Sequence, residues 1–155
     1  MRKVGWITGT FIAMYVIATC VGFATYFWWS PFAMWVAVFT LMPAVSALLI
    51  YGYLRKLSFS AEASLYESLL LTGAWIVLSF CLDAVTYVLI IPHLSHSNPN
   101  WTFFRDQSPW IWFSYLVLIF SAVAAQRLYR RNLAAFAENE GEMLRSYTRS
   151  AGRPA

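Results

Sequence analysis

Four long apolar runs, at about 6–28, 31–53, 68–91 and 110–125, dominate the chain and are separated by short polar stretches. Each comes near the ~20 residues that a helix needs to cross about 30 Å of hydrocarbon. The pattern predicts an all-α, polytopic membrane protein. Its four transmembrane helices are expected in an antiparallel up-down bundle, with spans near 6–28, 31–53, 64–91 and 109–131 and an outer loop at 92–108. Residues 1–136 make up the bundle, and 137–155 are expected to leave it as a flexible cytoplasmic tail.

Local chemistry supports these boundaries. Ser30-Pro31 and Ser108-Pro109 each put a side-chain acceptor before a proline, the arrangement of an N-cap followed by Pro at the first helical position, and so mark the starts of spans two and four. Ser64 and Glu67 fit a capping box for span three, with Ser60 as an alternative start one turn earlier. Glu62 and Glu67 then sit at the positive end of the helix dipole, facing the headgroups. In span one, Gly5, Gly9 and Ala13, and again Ala18 and Gly22, recur at the four-residue spacing that lets helices approach closely. Packing within the bundle is the preferred reading over a dimer face. Met1-Arg2-Lys3 before an apolar stretch resembles the start of a signal peptide. The stretch exceeds an ordinary hydrophobic region, so it is expected to be retained as an anchor.

Charge supplies the orientation. All of the 11 Lys and Arg except Arg105 fall before span one, between spans two and three, or at and beyond the end of span four. Cytoplasmic segments accumulate basic residues near membrane ends, so both termini and the 54–67 loop are expected in the cytoplasm, in the cell's inner membrane. Trp28, Trp29, Trp101, Trp110 and Trp112 then form an outer aromatic belt and Trp6 an inner one. The formal charge of +4 is explained by attraction to anionic headgroups rather than to nucleic acid, which is not expected as a partner. With 60% hydrophobic residues in 155, no soluble catalytic domain fits.

Asp83 stands apart as the ionisable residue well inside a span. It lies about 6 Å outward of the midplane, at a rise of about 1.5 Å per residue. Holding a carboxylate there costs about 2.5–3.5 kcal/mol, so such groups face the bundle interior or a wet cavity and pair with donors. Depth selects Thr40, Tyr87, Ser114 and Tyr115 as members of a polar layer, with Ser79 and Thr86 on the same helix. Pro43 is expected to kink span two and release the Phe39 carbonyl at a depth Asp83 can reach. The first reading of Asp83 is a hydrogen-bonding pin between helices. The alternatives are proton or ligand handling, and pairing with a partner protein.

The outer loop holds a weaker constellation of His93, His96, Arg105 and Asp106. His-x-x-His with an added carboxylate can ligate a metal, but Pro92 and the Asn98-Pro99-Asn100 turn interrupt the helix that would align the rings, so no metal is expected. Phe103 and Phe104 are expected to make this loop a cap over the outer end of the bundle. Cys20 and Cys81 read as buried small hydrophobes, since they lack a redox spacing. No span contains a His for bis-histidine haem, and no cofactor or catalytic set is visible. The leading expectation is a non-enzymatic membrane protein acting as a subunit or accessory factor, with another membrane protein or a second copy as candidate partner. A small ion- or solute-coupled transporter using Asp83 is the alternative, and a lipid-modifying enzyme with outer-loop chemistry the third.

Overall fold

A computed structural model of the protein describes residues 2–151, with side chains described for 2–143. The chain forms α1 (Arg2–Trp28), α2 (Pro31–Leu57), α3 (Ala63–Asp83), a π-helical segment (Ala84–Ile90), α4 (Ile91–Leu94), α5 (Phe103–Asp106) and α6 (Trp110–Ala151). Four of its helical stretches, Arg2–Trp28, Pro31–Leu57, Ala63–Leu94 and Trp110–Met143, are long and apolar enough to cross a membrane. α6 continues without a break into the stretch expected to leave the bundle as a tail, and is helical to Ala151. Arg153 lies outside the described residues.

The punctuation between apolar runs works through specific bonds. Ser30 is extended (φ −169°) and its Oγ accepts the Ala33 N–H at 3.1 Å, with Pro31 opening α2. At the far end of α2, Ser58 adopts the left-handed conformation (φ 54°) and its N–H returns to the Arg55 carbonyl. The start of α3 differs from the capping box expected at Ser64. Ser60 Oγ takes the Ala63 N–H at 3.2 Å, while the Ser64 hydroxyl donates to the Ala61 carbonyl at 2.8 Å. Glu67 is thereby left free of the cap. At Ser108-Pro109 no side-chain cap from Ser108 is seen among the described residues. The Ile111 N–H bonds the Gln107 carbonyl, and Trp112 and Phe113 bond that of Pro109.

Pro92 shapes the other end of the third span. It has no N–H to donate to the Val88 carbonyl four residues earlier. The Asn100 N–H takes that acceptor at 2.9 Å, stitching the outer loop to the helix it follows.

The bundle is tightest toward the end that holds Arg2, Lys3, Arg55 and Lys56, called here the basic end. α2 packs against both α1 and α6, and α3 packs against α6. Ile50, Tyr53 and Leu54 of α2, Leu71 and Trp75 of α3, and Ala122 of α6 are fully buried, with Phe11 and Met14 reaching them from α1. Between them lie Ser46, Ser64, Ser68, Thr72, Ser121 and Ala125, small residues that let backbones approach. Those of Ser68, Thr72 and Ser121 return their hydroxyls to carbonyls three or four residues earlier. In α1 only the second half of the small-residue pattern packs: Gly22 is buried beside Met34 of α2 and Ala18 lies against the core, whereas Gly5 and Gly9 are exposed and a Cβ on either would meet nothing within 4 Å among the described residues.

Candidate functional site

Toward the opposite, outer-loop end the core gives way to a cavity of about 450 Å³. α1 supplies Ala18, Thr19, Gly22, Phe23 and Tyr26 to its wall, and α2 supplies Pro31, Met34, Trp35 and Val38. Asp83 and Tyr87 come from the third span, Ile111 and Ser114 from α6, and Phe103 and Gln107 from the loop. The Phe103 ring stacks on Tyr87 at 4.9 Å with an interplanar angle of 5°, and Phe104 stacks on Phe80 at 4.7 Å. The loop thus packs onto the helix through two aromatic pairs, and one member of each pair comes from the loop itself.

Asp83 ends the α-helical part of its span, and the five-residue bonding pattern of the π segment begins at the next residue, with the Ile91 N–H reaching the Thr86 carbonyl. π-helical turns widen a helix and frequently accompany functional sites. The Asp83 carboxylate accepts two phenol hydroxyls, from Tyr15 of α1 at 3.1 Å and from Tyr115 of α6 at 2.9 Å. Three spans meet at this one side chain, which also borders the cavity.

The other residues expected in its layer are placed differently. Ser114 lines the cavity, but its hydroxyl donates to its own helix at Ile111, 2.7 Å away. Tyr87 lines the cavity beside Asp83 and carries the Phe103 stack. Thr40 is exposed and donates to the Val36 carbonyl at 2.7 Å, away from Asp83. α2 runs unbroken through Pro43, and the hydrogen bonds that reach Asp83 come from the two tyrosines rather than from the Phe39 region.

Tyr15 lies on span one, outside the polar layer expected from spans two, three and four. A phenol near the middle of the first span was the available signal.

A second polar cluster, at the basic end, was also not anticipated. Glu67 is 8% exposed; it pairs with Lys3 at 2.8 Å and accepts the hydroxyl of fully buried Tyr53 at 3.2 Å. Around it, Arg2 donates to the Lys56 carbonyl at 3.1 Å, Gln126 to Ser64 at 3.4 Å, and Tyr129 to the Phe59 carbonyl at 2.7 Å. Asn132 donates to the Tyr51 hydroxyl at 2.8 Å. Glu67 is therefore a buried ion-pair partner rather than a headgroup-facing residue at a helix start.

The outer-loop residues do not converge. His93 and His96 are both exposed. Asp106 accepts from Thr102 and lies 3.5 Å from its neighbour Arg105. No group of three or more His, Cys, Asp or Glu is arranged to hold a metal among the described residues. Cys20 and Cys81, expected to be buried, are both exposed on the bundle's outer surface. Compared with family models, curated proteins and solved structures, the chain matches none of them.

Proposed function

We propose that this is a small multi-pass protein of the cytoplasmic (inner) membrane that handles a small solute in the Asp83 cavity, as an ion- or solute-coupled carrier. Its four spans form an antiparallel up-down bundle with both termini in the cytoplasm. The clustering of Arg2 against Lys56, with Phe59 tied to Tyr129 beside Arg130 and Arg131, supports that orientation, because it gathers the basic residues at one end. Anionic headgroups are the natural partners of that end.

The observation that carries the solute reading is that Asp83 borders an open volume of about 450 Å³ instead of being sealed in packed side chains. This volume falls within the range of small-molecule sites, about 300–1,000 Å³, which are apolar with a few placed polar groups. An intramembrane carboxylate facing such a space is expected to serve a pathway.

A second reading, as a non-enzymatic subunit or accessory factor contacting another membrane protein or a second copy, draws on the Tyr15–Asp83–Tyr115 junction. That junction is also what a purely structural pin between three helices requires. An outer-loop lipid-modifying enzyme has less support, since His93 and His96 point to no shared centre.

Water access separates these readings. With Cys20 and Cys81 replaced by Ala, Ser114→Cys and Gln107→Cys are tested with a membrane-impermeant maleimide, and Thr40→Cys serves as the lipid-facing control. The carrier reading expects both cavity positions to react and Thr40→Cys to stay unreacted. A Ser114→Cys that does not react, in protein whose Gln107→Cys does, leaves the pin reading in its place.

A further inference from the structure

We propose that the cavity takes an amphipathic organic cation, with its charged group at Asp83 and its apolar body against the aromatic wall. This inference rests on the reading of the cavity as a solute site and adds the chemical class of the solute.

Three features of the wall point the same way. Asp83 is its charged member, and among the described residues no Lys, Arg or His lines the space. An anion would therefore meet a carboxylate with no compensating cation, whereas a cation would meet its counter-charge in a medium that screens poorly. The carboxylate also has acceptor capacity to spare. An ionised carboxylate offers about four lone-pair sites, and the hydroxyls of Tyr15 and Tyr115 use two. A ligand N–H or a bare cationic centre can then be held without first breaking the junction between the helices. Finally, Phe23, Tyr26, Trp35, Tyr87 and Phe103 all line the cavity. Aromatic faces attract cations and pack apolar bodies, so the wall suits a ring-bearing ammonium or phosphonium better than an inorganic ion, which would leave most of the volume unfilled.

Tetraphenylphosphonium and tetraphenylborate share a shape and differ in the sign of their charge, so together they separate charge selection from apolar filling. Binding of each is measured by equilibrium dialysis on the full chain in detergent. Saturable binding of the phosphonium, tighter than the borate by at least about ten-fold, is expected from the attraction of one poorly screened charge pair. Asp83→Asn should erase that preference and Asp83→Glu should keep it. Gly22→Trp, which places an indole in the cavity from a position where a Cβ meets only Met34 at 3.9 Å, should block both ligands while leaving Asp83 intact. The wild-type ratio needs no variant, so an Asn protein that fails to fold does not remove the test. Equal saturable binding of both ions, or a preference that survives Asp83→Asn, overturns the cation assignment but leaves the solute site standing. No saturable binding of either ion by the folded wild type counts against both.

Discussion

Replacing Glu67 with Leu is predicted to destabilise the bundle by about 1–4 kcal/mol, more than Glu67→Gln does. The difference follows from what each variant leaves behind. Tyr53 is fully buried, and its hydroxyl donates to Glu67. Leu removes that acceptor and orphans the hydroxyl, a loss of about 1–3 kcal/mol. The Lys3 side chain is 44% exposed and can turn toward water, so the lost ion pair adds only about 1 kcal/mol or less. Gln keeps an oxygen for Tyr53 and loses only that smaller contribution. Tyr53→Phe combined with Glu67→Leu removes donor and acceptor together, so the double variant should be more stable than additivity predicts by about 1–2 kcal/mol. Equilibrium unfolding in mixed micelles with increasing dodecyl sulfate, followed by helical circular dichroism, measures the wild type, both Glu67 variants, Tyr53→Phe and the double variant. If Glu67 acted only on the helix dipole, Gln and Leu would cost the same, about 0.3–1 kcal/mol. Equal losses with an additive cycle would refute the buried-cluster account.

Tyr15→Phe and Tyr115→Phe should each destabilise by about 0.6 kcal/mol and at most about 1.7 kcal/mol, the average and maximum for hydrogen bonds between membrane helices, and their effects should be non-additive in the same unfolding assay. Ser46 Oγ is buried without a hydrogen-bond partner among the described residues. Ser46→Ala should therefore be neutral or stabilising by up to about 1 kcal/mol, and a clear loss on unfolding would show that the hydroxyl is bonded. Ser30→Ala removes the α2 cap and should cost about 1 kcal/mol, measured as a lower midpoint with unchanged cooperativity.

The elements and their edges were legible where the signal was local. Ser30-Pro31 combines an acceptor with a fixed φ, and that pair alone is enough to start α2. Ser60 and Ser64 are both capable caps, and the choice between them falls to tertiary contacts: Glu67 is drawn to Lys3 and Tyr53 rather than back to a capping box. Position along a span was also legible: Asp83 and Tyr115 were matched by their distance from the span ends, and they bond. Azimuth was not, because a span that is apolar on every side carries no amphipathic stripe to say which face turns inward. Thr40 has a suitable depth but lies off the α2 face that buries Met42, Ser46 and Ile50. The same blindness put Cys20 and Cys81 inside and overlooked Tyr15. The Lys3–Glu67 pair, 64 residues apart, depends on how α1 meets α3, and no short-range pattern encodes that contact.

The claim at the centre of this account is that water and solute reach Asp83 through the cavity beside Gly22. It is tested most directly by the rate at which an impermeant maleimide labels Ser114→Cys, in protein lacking Cys20 and Cys81, with and without Gly22→Trp. The account predicts ready labelling that the indole slows by at least about ten-fold, since a single large side chain would occupy much of a space of small-ligand size. Labelling that proceeds at the same rate with the indole present would contradict it.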